Sequence, residues 1–185
     1  MLKKLSYLAF GTLIACTPLA DRLTLEPSPS DLELRPLVSS AMVRTVSLPT
    51  YAAVEEIPLE TGNGVIAVRE DVLWADDPER AVTLILTNTL GDILNTDVGP
   101  DPWPFVGLPD VSVDVRVARM LGSTDGSFTL TGQFYVAGEG RSFRDSTNAF
   151  EITVAMPDAS LTGISAAQST ALLQLSEQIA RTLGR

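Results

Sequence analysis

The most informative residue for chemistry in this sequence is Cys16, the sole cysteine in 185 residues. It closes the run Leu13-Ile14-Ala15-Cys16, and a thiolate is the nucleophile that can take a lipid through a thioether link. The rest of the chemical kit is thin. The chain has no histidine, which removes the commonest general base and the commonest metal ligand together. Lys3 and Lys4, its two lysines, precede Cys16, so no serine–lysine pair can form beyond it. Once Cys16 carries lipid, no thiolate remains for zinc, iron–sulfur or nucleophilic chemistry, and no disulfide can form. Carboxylates, hydroxyls, tyrosines and arginines are left, and the sequence is read as that of a non-enzyme with no catalytic residue and no cofactor beyond covalent diacylglycerol and palmitate-type acyl lipid on Cys16.

The carboxylate pairs have ordinary explanations. Asp76 and Asp77 suit the capping of a following helix. Glu55 and Glu56 read as a solvated pair on a loop or edge, and Glu139, Arg141, Arg144 and Asp145 as a solvated loop cluster. Asp97, Asp101 and Asp110 flank a proline-rich loop, but their spacing matches no calcium template, so no metal site is expected. The aromatics leave two readings open. Trp74, Trp103, Phe105 and Tyr51 can seal the core, or they can line a groove or anchor an interface, where tryptophan is enriched.

Elements N-terminal to Cys16 explain why that residue matters. Two lysines precede an apolar stretch, residues 5–15, too short to span a bilayer as a stable anchor. With small residues at its exit this is a secretory signal, and Leu13, Ile14 and Ala15 before Cys16 make the signal-peptidase recognition pattern of a bacterial lipobox. The alternative is a shortened transmembrane helix with an incidental cysteine. Residues 1–15 are thus expected to be a signal peptide, 16–40 the lipidated cysteine and a tether, and 41–185 a single globular domain. Of the 13 basic residues, Lys3 and Lys4 lie in the signal. The remainder sets 11 arginines against 23 acids, a formal charge of −12 where the whole chain has −10. Such a body offers no electrostatic footprint for nucleic acid and is repelled by anionic headgroups, so attachment must come from acyl chains, two or three of which hold firmly. Thr17 is not the aspartate that commonly retains lipoproteins at the inner membrane. This leans toward the outer membrane, on its periplasmic face, with inner-membrane anchoring left open.

Beyond the anchor, Pro18, Pro27, Pro29 and Pro36 with several serines favour extended chain, and Leu23-Thr24-Leu25 could form an edge strand. Residues 42–48 and 65–68 read as strands, the second set off by Gly62-Asn63-Gly64. Asp76 or Asp77, Pro78 and Glu79 announce a helix running to about Asn95. Residues 99–105 can be neither helix nor central strand. Alternating Val111, Val113, Val115 and Val117, then Phe128, Leu130, Phe134 and Val136, then residues 150–156, predict a three-strand meander. A long amphipathic helix follows from about Ile164 to Leu183, stopped by Gly184, with Gln168, Gln174, Glu177 and Arg181 off its apolar face. The fold class predicted is α+β: one sheet of about five to six strands, mostly antiparallel, packed by two main helices.

Several segments then stand in a recognisable order. After the lipobox and Leu23-Thr24-Leu25 come Val46-Ser47-Leu48-Pro49-Thr50-Tyr51, Leu73-Trp74-Ala75-Asp76-Asp77, Pro102-Trp103 and Leu175-Ser176-Glu177-Gln178-Ile179-Ala180. This set resembles the paraquat-inducible protein C family, the ABC-type transport auxiliary lipoproteins, over nearly the whole chain after Cys16. One stretch departs: where the family carries an Arg-Pro-Gln/Glu-Ile-Val type run after the tyrosine, with Thr-Arg following, this chain has Val54-Glu55-Glu56-Ile57-Pro58-Leu59. The resemblance implies an accessory lipoprotein facing the periplasm, working beside an MCE-domain protein and an ABC-type transporter in intermembrane traffic of lipids or hydrophobic compounds. It also leaves room for homo-oligomers, since some members form rings. A stand-alone lipoprotein that binds a small ligand near Trp74 and Trp103, or plays a structural role in the envelope, is the competing reading.

Overall fold

The computed structural model describes residues 20–139 and 143–185. Its longest strand organises everything else. The alternating valines predict a strand, and β6 runs from Val111 to Ser123, about 40 Å at the usual rise per residue. One edge of β6 is served by a single partner, β7 (Ser127–Gly138), which in turn pairs antiparallel with β8 (Ser146–Ala155). This is the expected meander. Gly126, at φ 90°, makes the β6–β7 turn, a backbone region open to glycine at no steric cost.

The other edge of β6 is shared. Near its start, β2 (Ser40–Val43) pairs in parallel, with β5 (Asp97–Pro100) parallel beyond it. Near its end, β3 (Glu56–Glu60) pairs in parallel, followed by antiparallel β4 (Ile66–Trp74) and then parallel β1 (Asp21–Leu23). Between these two groups the backbone of β6 is satisfied piecemeal. Ser47 donates to Val115 O and accepts from Val117 N, and the Tyr51 hydroxyl accepts from Met120 N at 3.3 Å. A buried N–H left without a partner is costly, so Tyr51 stands in for a missing strand.

The α+β class is as predicted, but the sheet has eight strands among the described residues instead of five or six. The additional strands are short. Residues 42–48 were expected to be one strand, yet β2 ends at Val43 because Val46 N–H turns away to the Thr83 hydroxyl, 2.9 Å, on the first helix. Residues 99–100 do extend as strand, and β5 lies at the sheet edge, the one place a proline that cannot donate is tolerated. β4 is longer than the 65–68 foreseen, and Glu56 lies in β3, an interior strand of the sheet.

Both helices follow from their caps. The Asp77 carboxylate accepts from Arg80 N at 2.8 Å, Pro78 is the first residue of α1 (Pro78–Leu94), and Asn95 closes it in the left-handed region at φ 46°, a cap geometry asparagine tolerates. The second helix, α2 (Leu161–Leu183), begins three residues before the predicted start, where the Ser160 hydroxyl accepts from Gly163 N at 3.0 Å. Asp158 accepts from both the N–H and the hydroxyl of Ser160, and these bonds hold its carboxyl below the usual range. Gly184 ends α2 in extended conformation, φ −143°. It serves close approach: a Cβ there would sit 2.9 Å from Leu94 and 3.0 Å from Leu34.

The core lies between the two helices and one sheet face. Val113, Val115, Phe128, Leu130 and Phe134 from the meander meet Leu172, Leu175 and Ile179 of α2 and Leu86 and Leu90 of α1. From Asp21 onward, the segment expected as a tether lies on the domain. Ser165 and Ser169 of α2 donate to Thr24 O and Glu26 O, Ser30 donates to Glu177 at 3.0 Å, and Leu34 N donates to Ile93 O. Residues 23–32 therefore cover a second face of α2, which buries Gln168, a position expected off the apolar face.

Candidate functional site

Trp74 is the last residue of β4, and three bonds or contacts fix it. Its N–H donates to Glu55 O, its carbonyl accepts from Arg22, and its side chain is buried in the core. Arg22 also pairs with Glu55 at 2.6 Å, so β1 and the start of β3 are clasped around it. Beside the indole lies a cleft of about 270 Å³ between the β1 segment, α1 and α2, lined by Leu23, Leu25, Pro27, Leu84, Ile85 and Gln168 among others. Gln168 is buried at its wall, and Thr24, Glu26, Asp76 and Asn88 also line it. A mostly apolar cleft with a few polar groups at its wall can hold a small amphiphilic molecule.

Trp103 and Phe105 form a different site. Their rings meet edge to face, centroids 4.9 Å apart at 63°, the arrangement aromatic quadrupoles prefer. Trp103 and Pro104 fold back over Gly99 of β5, where a Cβ would come within 2.8 Å of Pro104. The Trp103 indole N–H is buried without a hydrogen-bond partner among the described residues. Outside this fold-back the loop is apolar and bare: Val106 is fully exposed, Leu108 is 77% exposed and Phe105 about half exposed. Contiguous apolar exposure of this kind marks a contact surface.

The structure thus brings Trp103 and Phe105 together and keeps Trp74 and Tyr51 apart from them. Trp103 does not line the cleft beside Trp74, so the two tryptophans do not share one pocket. Tyr51 is half-buried against the core and holds β6. Cys16 and its recognition residues Leu13, Ile14 and Ala15 lie outside the described residues, as does Arg141. Val106, Leu108 and Gln168 were missed from the sequence. The first two look like core residues by type, and Gln168 like a solvated one.

The outer face of the meander carries a shallow, open groove lined by Arg116, Gln133, Tyr135 and Glu151. Arg116 forks onto Asp114 at 2.9 Å and stacks over the Tyr135 ring at 5.3 Å. The bond and charge of Asp114 hold its guanidinium pKa above the ordinary arginine value. Asp76 and Asp77 are both engaged at the start of α1, and the Asp110 carboxylate accepts from Ser39 N at 2.7 Å. Among the described residues no group of three or more acids or other ligating side chains is placed to hold a metal, and no helix is long and apolar enough to cross a membrane.

Comparison with known proteins places this fold. The chain is similar to the crystal structure of an uncharacterized protein, with TM-score 0.70 at 19% identity, over 87% of this chain and 98% of the other. It is similar to a Xanthomonas campestris protein of the DUF330 family, with TM-score 0.72 at 14% identity, over 87% and 94%. A PelC dodecamer from Paraburkholderia phytofirmans aligns with TM-score 0.46 at 15% identity, over 86% and 96%. No curated protein matches the chain. The model of the ABC-type transport auxiliary lipoprotein component matches residues 24–180, from the segment laid over α2 to the last turns of α2 itself, and the chain belongs to that family.

Proposed function

We propose that this protein is a non-catalytic accessory subunit of an ABC-type system moving lipids or other hydrophobic compounds between envelope membranes. It works beside an MCE-domain partner, held by lipid on Cys16 at the periplasmic face of the outer membrane. The observation that carries the reading is the family match over residues 24–180, preceded in this chain by the Leu13-Ile14-Ala15-Cys16 run. The bare loop at Phe105, Val106 and Leu108 supports it, because an accessory subunit needs an apolar contact surface and this loop is anchored on Trp103 instead of swinging free. Assembly of several copies into a homo-oligomer belongs to the same proposal.

The first test is a pull-down with the lipidated protein from envelope extracts, run beside its Cys16→Ser variant. The wild type should fractionate with membranes and recover an MCE-domain protein, and the variant should leave the membrane fraction. Wild-type protein that recovers no such partner against a working positive control overturns the accessory role. A sharper version uses Val106→Asp. A charge in a desolvated apolar contact should lower partner recovery tenfold or more, about 1.4 kcal/mol, with no change in melting temperature since Val106 touches no core.

One observation favours a second reading. The cleft beside Trp74, with the Gln168 amide on its wall, suits a stand-alone small-ligand-binding lipoprotein. Lipid or another amphiphile found by native mass spectrometry in the monomer, and lost in Leu84→Trp, would favour it.

A further inference from the structure

The second exposed apolar surface lies at the other end of β6 from the Phe105 loop. β3 and β4 form a hairpin whose turn has three successive residues in the left-handed region, Gly62, Asn63 and Gly64 at φ 103°, 55° and 74°. Bonds between Thr61 and Val65, and from Val65 N to Gly62 O, close it. At Gly62 and Gly64 a Cβ would meet nothing within 4 Å, so the tip projects into open space. Just behind it Val65 is 58% exposed, Ile66 37% and Val68 48%.

The tip carries no charge of its own, a feature it shares with residues 102–109 of the Phe105 loop. Residues 61–68, Thr-Gly-Asn-Gly-Val-Ile-Ala-Val, carry no ionisable group in a chain of net charge −10. At the base of the hairpin, Glu60 is paired with Arg119. The tip itself therefore adds no acidic charge to be repelled by anionic headgroups, and Asp125 in the neighbouring β6–β7 turn lies near Arg119.

Chain length says what it faces. Asp21 pairs with Val72, and β1 runs parallel to β4, so the chain reaches Asp21 from the side of the hairpin tip. Cys16 is five residues earlier, at most ~17 Å away when fully extended. Ile66 is six residues from Val72 along β4, ~20 Å in the same direction, and the glycine turn extends further. An acyl anchor on so short a lead cannot hold the bilayer beyond the hairpin tip. The Phe105 loop, which leaves β5 beside Val43 and returns beside Ser39, is at the opposite end of the sheet.

The geometry points to a membrane contact: the tip of the β3–β4 hairpin, through Val65, Ile66 and Val68, lies in the interfacial layer of the bilayer that carries the acyl anchor. This rests on lipidation of Cys16. The partner is a lipid surface, and the hairpin orients the domain upon it while the acyl chains supply retention.

The test uses lipidated full-length protein in phosphatidylethanolamine–phosphatidylglycerol vesicles. With Cys16 acylated, an introduced cysteine is the one free thiol, so Val65→Cys and Val106→Cys can each carry an environment-sensitive dye. Flotation with the vesicles reads the anchor, and the dye reads the contact. The expected result is a blue-shifted emission at position 65 only, quenched severalfold more by bromine-labelled acyl chains than at position 106. A protein that floats with a water-like, unquenched dye at 65 overturns the hairpin contact and leaves the anchor standing. A protein that fails to float overturns both. A blue shift at 65 without lipid quenching means that protein covers the tip, and also overturns the proposal.

Discussion

A chain ending at Asp158 is expected to lose cooperative folding altogether. It would lack α2, and with it Leu172, Leu175, Ile179 and Leu183, each among the fully buried side chains of the core. Burying one such side chain stabilises by about 1.5–3 kcal/mol, so the four together supply roughly 6–12 kcal/mol, the same size as the whole ~5–15 kcal/mol stability of an ordinary domain. The inner sides of Phe128, Leu130 and Phe134 would meet water, and residues 23–32, which lie on α2 through Ser165, Ser169 and Glu177, would lose their seat. Circular dichroism and urea denaturation check this. A sharp two-state transition in the shortened chain would show that α2 is an appendage.

Gly132→Ala should cause the largest loss of any single methyl addition. Gly132 lies in β7 opposite Val117, beside the register shift in β6 between Val117 and Arg119. A Cβ there would stand 2.2 Å from the Arg116 carbonyl oxygen, 2.7 Å from the Phe150 ring and 3.0 Å from the Val117 Cα. Two of those three are backbone, which cannot swing aside as a side-chain end can. The strands must part locally, at a cost of about 3 kcal/mol or more. Gly91→Ala is the matched control: within α1 the added methyl meets only Val98 at 3.9 Å, and the substitution should stabilise by up to ~1 kcal/mol through helix propensity. Urea midpoints moving in opposite directions would bear out both assignments; equal midpoints would remove the close approach at Gly132 as a cause.

What the sequence discloses follows the range of the interactions involved. The α1 cap is written in Asp77, Pro78 and Glu79, and the meander in alternating residues joined by short turns; both are local, and both are legible. The parallel pairings of β1 with β4 and of β2 with β5 and β6 join segments tens of residues apart and leave no local trace. Residues 17–40 look like a tether because four prolines and four serines punctuate them, yet the anchoring of residues 24–30 is encoded elsewhere, in Ser165, Ser169 and Glu177 of α2. For the same reason Gln168 reads as solvated and is buried. At the sites, Trp103 with Phe105 could be singled out by residue type, whereas Val106, Val65 and Val68 could not. A valine on a bare loop and a valine in the core are the same letter, and only the absence of a facing layer tells them apart.

The divided edge of β6 has a mechanical consequence. One strand, Val111 to Ser123, ties the β2–β5 group at one end to the β3–β4–β1 group at the other, and β7 pairs along it on both sides of the register shift between Val117 and Arg119. The two groups are therefore held at a set separation. On the proposed lipid contact of the hairpin, the aromatic loop would stand at an elevation dictated by strand length, some 40 Å at the ordinary rise. Copies side by side would offer their loops as a level rim.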